Sequence, residues 1–278
     1  MKNEKESSSL SFLYNTAVGR ILLKLLICPA VSKAVGKFMD SRCSMPLIKG
    51  FIKKNGIDLN DYLDTDFRCF NDCFTRRIKP ELRPIDENPS AFISPCDGLV
   101  SAYKIEGDTV FPAKQSEYTV KELLKNDGLA DRFSDGTVLV IRLCVDNYHR
   151  YSYIDGGEKE ENVFIPGVLH TVRPIALKKS AVFCENCREY TLMHTENFGD
   201  VVQVEIGAML VGKIKNHHGR GKTVRGDEKG LFLYGGSTVV LLIQKGKAVI
   251  DPLYFENTEK GLETPVKMGE RVGISTLI

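Results

Sequence analysis

Strand-forming runs crowd the second two-thirds of this chain, while helical spacing dominates what precedes them. Residues 136–144, 189–194, 201–212 and 238–244 are rich in β-branched side chains and bounded by Gly, Asp or Asn. One short helix interrupts them, with Thr119 as N-cap ahead of Val120-Lys121-Glu122-Leu123-Leu124. Residues 11–39 read instead as one or two amphipathic helices. Val18, Ile21, Leu22 and Leu25 share a face, and Arg20 and Lys24 fall one turn apart on another. Pro29 breaks the pattern, after which Val31, Ala34, Val35 and Phe38 resume it with Lys33 and Lys37 opposite. Helices first and a strand-rich body from about residue 91 predict an α+β fold: N-terminal amphipathic helices, then a β-rich body with an antiparallel or mixed sheet.

Between these regions, Asp64-Thr65-Asp66-Phe67 has the composition of a helix start. Phe67, Phe70 and Phe74 then recur as one aromatic stripe, which core packing alone explains. The loop Lys79-Pro80-Glu81-Leu82-Arg83-Pro84 ends that segment. With 278 residues, 42% hydrophobic and 27% charged, the chain suits one large domain or a domain with an appended segment.

Charge is unevenly spread. Residues 1–57 hold ten Lys or Arg against three acids, a charge of +7, which leaves −5 on the remainder of a chain whose net charge is +2. A basic segment on a mildly acidic body points to an anionic partner, membrane surface or nucleic acid. The apolar stretches there fall well short of the ~18 residues of a membrane span. Two readings remain for the helices: lying on anionic lipid, or packing on their own domain. No secretory signal is evident, since Met1 to Ser9 is polar and no small-residue cleavage site follows. The eight cysteines do not form a disulfide pattern. Cys184-Glu185-Asn186-Cys187 with Cys69 and Cys73 has unequal spacing, so no metal site is assigned.

The step Gly235-Gly236-Ser237-Thr238 carries the most chemistry. Two glycines leave the backbone before the serine bendable and the Gly236 carbonyl unshielded. Read plainly, it is a Gly-Gly turn entering a strand. Read chemically, Ser237 is a nucleophile placed to attack its own chain. Such a serine needs a base and an acid to orient that base. His149, in Val145-Asp146-Asn147-Tyr148-His149-Arg150-Tyr151, follows a strong strand, where a loop presents it at a sheet edge. His170 also follows a turn, His194 sits within a strand pattern as a structural partner, and His217-His218 lie in a solvated loop. The acid is Asp97, fixed by the proline-primed turn Ser94-Pro95-Cys96-Asp97-Gly98, though an Asp-Gly turn alone accounts for the same residues.

In order, Phe70-Asn71-Asp72-Cys73-Phe74-Thr75-Arg76, Arg83-Pro84-Ile85-Asp86, Ser94-Pro95-Cys96-Asp97-Gly98, Tyr148-His149-Arg150 and Gly235-Gly236-Ser237-Thr238 resemble phosphatidylserine decarboxylases. Lys114-Gln115, Tyr118-Thr119-Val120 and Leu123-Leu124 also look like that family's stretch before its small helix. The resemblance runs from about residue 66 to 250. It implies a proenzyme that cleaves itself between Gly236 and Ser237. Ser237 Oγ would attack the Gly236 carbonyl to give an ester. Elimination would then leave dehydroalanine at position 237, which hydrolyses to a pyruvoyl group and ammonia. The products would be a large chain (1–236) and a small pyruvoyl chain (237–278). The resemblance further implies that the pyruvoyl, a covalent cofactor made from Ser237, forms a Schiff base with the phosphatidylserine amine and accepts electrons as carbon dioxide leaves. The product would be phosphatidylethanolamine, as part of phospholipid biosynthesis.

One departure affects the base. The family commonly carries a second histidine three residues after the first, and here that position is Ser152. Asp97 and Ser237 carry over directly. For the base, either His149 does both jobs or His170 reaches in from the next turn; the expectation is His149 as decarboxylation acid/base, with His170 in the place of the lost cleavage base. A diacyl substrate assigns the basic segment, residues 1–60, to anionic lipid and not to nucleic acid. The catalytic domain would be residues 61–278, peripheral on the cytoplasmic side of the cell membrane, as a heterodimer of large and small chains with higher oligomers open. A serine hydrolase or a non-catalytic β-rich binding domain would keep an intact chain, which separates both from this reading.

Overall fold

The computed structural model describes residues 8–107, 109–113, 116–177, 181–209, 213–234 and 237–277. Three helices occupy the region expected to hold one or two: α1 (Ser8–Asn15), α2 (Ala17–Leu26) and α3 (Pro29–Met39), with α4 (Pro46–Asn55) following. Thr16 makes the extra boundary. Its extended backbone leaves α1, and its hydroxyl caps α2 by accepting the Gly19 N–H at 2.9 Å. A Cβ on Gly19 would lie 2.1 Å from the Phe12 carbonyl oxygen, so only glycine lets α2 start that close to α1. Pro29 is not merely a breaker but stands in the first turn of α3, where its missing N–H costs nothing.

The next helix, α5 (Phe70–Phe74), begins later than Asp64-Thr65-Asp66 suggested. Its start is set from a distance: the fully buried Ser44 hydroxyl accepts the Phe70 N–H at 2.8 Å. Phe67 is buried outside the helix. The Thr119 cap forms as read, with its hydroxyl accepting the Glu122 N–H at 3.0 Å and the Glu122 carboxylate accepting the Thr119 N–H at 3.2 Å.

The body is built on a nine-stranded sheet whose pairings are all antiparallel. Its central strands run in the order Arg188–Thr195, Gly199–Gly207, Ser237–Ile243, Thr137–Leu143, Gly98–Lys104. Three of the four expected strands match within about a residue at each end, and the fourth stops at Gly207 instead of reaching 212. Residues 237–243 are buried throughout because both faces of the sheet are covered. On one face Leu139, Ile141, Val239, Leu241 and Val201 pack with Phe92, Tyr151 and Phe232. On the other, Val138, Val140, Val240, Leu242 and Val204 pack with Leu123 and Leu124 of the short helix and with Phe133 in a following turn. Double coverage explains why the sequence shows continuous apolar runs there and not strict alternation.

A second, three-stranded sheet of Ile214–Asn216, Glu228–Phe232 and Arg150–Ser152 is tied to the large one through a buried charge cluster. Lys229 Nζ donates to Glu205 Oε1 at 2.8 Å and to Asn216 Oδ1 at 2.9 Å, and both charged side chains are fully buried. Asn216 Nδ2 donates to Glu189 at 2.8 Å and to Glu205 at 3.2 Å. Burial pushes the Glu205 carboxyl up, opposed by the Lys229 ammonium. Removing one partner of such a pair strands the other charge. Lys229→Met should therefore lower the unfolding free energy by about 3–5 kcal/mol in urea titration. Adding Glu205→Gln should recover part of the loss; a double variant no more stable than the single one would contradict this account.

Candidate functional site

Ser237 opens the central strand, paired with Gly207 on one side and Leu143 on the other. Its side chain is fully buried, and among the described residues its Oγ has no hydrogen-bond partner. Thr238 Oγ1 shares that condition on the opposite face. Leaving a buried hydroxyl unbonded costs about 1–3 kcal/mol, so such a group calls for a functional explanation. Gly235 and Gly236 lie outside the described residues.

A cavity of about 890 Å³ opens at this end of the sheet. Its walls include Asp97, Gly98 and Leu99 where their strand begins, the 144–147 loop that continues from Leu143, and Tyr234, three residues before Ser237. Asp97 is 4% exposed. Arg83 grips it with two bonds, Nε to Oδ1 at 2.7 Å and Nη2 to Oδ2 at 2.5 Å, and the Met268 N–H donates to Oδ1 at 2.9 Å. Among the described residues no hydrogen bond joins Asp97 to a histidine. Gly98 has its own reason to be glycine: a Cβ would lie 2.8 Å from the Arg142 carbonyl oxygen on the neighbouring strand.

His149 lies in the loop after Thr137–Leu143, as its sequence position suggests, but it is fully buried and not displayed at a sheet edge. Phe74 of α5 covers its ring at a centroid distance of 4.0 Å. Its Nδ1 is 2.9 Å from the Asn147 carbonyl, which only accepts, so Nδ1 carries the proton and Nε2 presents a lone pair. That Nε2 is buried without a partner among the described residues. Burial, aided by the nearby Arg76 cation and opposed by the Asn147 carbonyl, lowers the His149 pKa to about 3. The imidazole is therefore neutral at ordinary pH, with its Nε2 lone pair unprotonated.

The aromatic stripe of α5 does more than fill core. Phe70 and Phe74 meet Tyr234 edge-on at 4.8 and 5.3 Å, and Asn71 Oδ1 accepts the Tyr234 N–H at 3.0 Å. Asn71 Nδ2 in turn donates to Asp40 at 2.7 Å. Arg76 Nη2 donates to the Asp146 carbonyl at 3.1 Å, in the loop that carries His149. The short helix α5 and Arg76 just beyond it thus steady both the approach to Ser237 and the His149 loop. Arg83, Asn71, Arg76 and Asn147 stand in or beside the sequence motifs, but nothing in their spacing marks them as partners of Asp97, Tyr234 or His149.

His170 is held differently. Asn186 Oδ1 accepts the His170 N–H at 2.8 Å, while Asn186 Nδ2 donates to the His170 carbonyl at 2.8 Å and to the Gly207 carbonyl at 2.7 Å. That clamp ties the His170 backbone to the residue paired with Ser237. The ring is engaged elsewhere: Nδ1 lies 3.1 Å from the Tyr14 hydroxyl of α1, and Nε2 lies 3.5 Å from Glu185. Burial lowers its pKa, opposed by Glu185. His194 contacts Asp200 at 2.6 Å, and His217 contacts Glu228 at 2.6 Å, both as structural partners. Cys187 donates its thiol to the Gly167 carbonyl at 2.9 Å.

The comparisons with known proteins bear on this geometry directly. The family model described as Phosphatidylserine decarboxylase matches residues 70–274. Phosphatidylserine decarboxylase proenzyme 2 of Clostridium acetobutylicum is 42% identical over 273 residues, covering 98% of this chain and 94% of that protein. The phosphatidylserine decarboxylase proenzyme of one Clostridium botulinum strain is 41% identical over 270 residues, and that of Clostridium novyi 40% over 270; each match covers 95% of this chain and 92% of the relative. The chain belongs to the phosphatidylserine decarboxylase family. Within it, position 152 is of interest because the second histidine is absent. Ser152 is buried, and its N–H and hydroxyl both donate to the Pro95 carbonyl, at 2.8 and 3.3 Å, beside the turn that carries Asp97.

The His149 environment has a measurable consequence. An imidazole that is neutral when folded, with its pKa lowered to about 3, contributes stability that is fully present above its unfolded pKa of about 6.5. That contribution is lost as pH falls through the window between the two values, by up to about 1.4 kcal/mol per pH unit. His149→Gln should show a shallower fall in urea-unfolding free energy between pH 6.5 and 4 than the parent. Superimposable pH profiles would show that a buried neutral His149 is not what the acid limb reports.

Proposed function

We propose that this chain is a self-cleaving proenzyme that decarboxylates phosphatidylserine to phosphatidylethanolamine, with Ser237 as precursor of its pyruvoyl group. The observation that carries the reading is the buried, unpartnered Ser237 hydroxyl at the start of the central strand, directly after Gly235-Gly236. A hydroxyl solvated by water or bonded to a neighbour would have to give up that partner before attacking a carbonyl. Ser237 has none to give up among the described residues. The residues fit the group: a serine becomes the cofactor in place, so no binding cradle is required.

His149 takes the proton of the Ser237 hydroxyl at Nε2, the imidazole nitrogen left as an acceptor by the Asn147 carbonyl. His170 is the weaker candidate, because Tyr14 and Glu185 occupy its ring nitrogens while Asn186 uses its backbone to steady Gly207. Asp97, fixed by Arg83, sets a negative charge in the cavity wall and keeps its place through the chemistry. The pyruvoyl group supplies the electron sink for loss of carbon dioxide. In that second reaction His149 would take a proton at Nε2 from the substrate ammonium and pass it to the substrate carbon.

After the cut the two chains, 1–236 and 237–278, stay together. The strand Ser237–Ile243 is paired along its whole length with Gly199–Gly207 and Thr137–Leu143, and Val239 through Ile243 are fully buried. Residues 1–60 form the membrane-facing part and residues 61–278 the catalytic part. On α2, Val18, Ile21 and Leu25 are 62%, 66% and 61% exposed, while Leu23 turns inward. The apolar face thus points away from the protein, beside the exposed Arg20 and Lys24. That arrangement favours lipid over the reading in which the helix packs on its own domain, since an interfacial helix buries its apolar face in the acyl boundary. Among the described residues no helix is long and apolar enough to cross a membrane. In this reading the protein binds the cell membrane peripherally, on its cytoplasmic side.

Self-cleavage gives a direct test. The parent should yield two chains on a denaturing gel, the small one with a mass that places a ketone at position 237, and Ser237→Ala should remain one chain. An active parent of undivided full mass would refute the proposal. His149→Ala should slow splitting by at least about 100-fold, in the range of general-base removal, and His170→Ala by much less; normal splitting of His149→Ala would remove it as the base. Ile21→Asp with Leu25→Asp, two exposed changes that spare the Tyr14–His170 contact, should weaken binding to anionic liposomes. Binding equal to the parent would remove α2 as the lipid contact.

A further inference from the structure

The cavity beside Asp97 is not walled by the β-rich body alone. Phe51, Lys54 and Asn55 of α4 complete it, facing the strand starts and the 144–147 loop. The placement of α4 is fixed by packing: Phe51 meets Phe70 edge-on at 5.0 Å and Phe74 at 6.1 Å, the two residues that also hold Tyr234. Lys54 follows Phe51 by three residues and so shares its helix face. Lys267 lines the cavity from the C-terminal segment.

These two lysines differ from the other charges in the wall. Arg83 is committed to Asp97 with both arms of its guanidinium. For Lys54 and Lys267 there is no carboxylate within ion-pair distance among the described residues. The nearest acid to Lys267 in sequence, Glu270, instead accepts its backbone N–H at 2.8 Å. Asp146 and Glu270 also line the cavity, so its lining carries both signs. A phosphoserine headgroup carries two anionic groups and one ammonium. A mixed lining with two uncommitted ammonium groups suits it better than it suits a purely anionic or a neutral ligand.

We propose that α4 is part of the substrate site, and that Lys54 and Lys267 hold the phosphodiester of the phosphatidylserine headgroup. The inference rests on the decarboxylase reading above. It gives the basic N-terminal segment a second role besides the membrane: one of its lysines reads the substrate. Lys54 and Lys267 are exposed, so replacing them leaves the core untouched.

The test uses the full-length, self-cleaved protein with a short-chain phosphatidylserine below its micellar concentration, which removes the membrane from the measurement. Lys54→Ala and Lys267→Ala should each split into two chains as the parent does and keep kcat within about twofold. Each should raise KM about tenfold, the loss expected for one charge-assisted hydrogen bond. Lys54→Arg should restore KM to within about threefold, and deacylated glycerophosphoserine should inhibit the parent more strongly than either alanine variant. An unchanged KM for the soluble substrate in both alanine variants overturns the proposal. So does weakened liposome binding with an unchanged soluble KM, which would assign Lys54 to the membrane surface alone. Failure of the parent itself to split would instead strike the underlying functional reading, and the gel separates the two.

Discussion

The structure depends on the pairing of the strand Ser237–Ile243 between two neighbours and the burial of both its faces. A strand paired on one side only could slide or fray at its first residue. Held from both sides and capped by apolar layers, it fixes Ser237 at a set height on the sheet, fully buried and with its hydroxyl unbonded among the described residues. Burial removes the solvent partner a serine would ordinarily have. The resulting cost is the kind of local expense that proteins keep where chemistry requires it. Under the proposed self-cleavage, the same pairing would hold the small chain in place.

Around that fixed point, short elements supply the rest. Phe70, Asn71 and Phe74 of α5 touch Tyr234, His149 and, through Asn71, Asp40 at the end of α3, and Arg76 just beyond the helix reaches the Asp146 loop. Asn186 performs the matching task on the other side, joining His170 to Gly207. Neither depends on a long secondary-structure element. Each works because an amide or guanidinium side chain presents several directed donors or acceptors and can bridge backbone groups from separate segments.

The N-terminal helices are joined to the site by packing. Tyr14 of α1 reaches His170, Phe51 of α4 reaches α5, and the apolar face of α2 is left outward. The sequence carried the amphipathic pattern but not its direction, because a hydrophobic stripe has the same periodicity whether it faces a core or a bilayer. The helix start at Phe70 was also hidden, since its cap, Ser44, lies 26 residues earlier in the chain. By contrast, the Thr119 cap was legible because both members of its capping box are three residues apart.

From sequence alone came the order of helices and strands, the four strands with the most β-branched residues, the family, and the identity of Ser237, Asp97, His149 and His170 as chemical candidates. These are local properties or ordered motifs, and both survive in one dimension. Tertiary structure alone decided that Asp97 is held by Arg83, that His149 keeps an acceptor nitrogen unpartnered among the described residues while the His170 ring is engaged, and that Lys54 of the N-terminal segment joins the cavity wall. Each of those depends on which distant groups compete for the same hydrogen bond or the same volume. That competition is settled only when the segments meet, because burial strips away water and makes every remaining partner count.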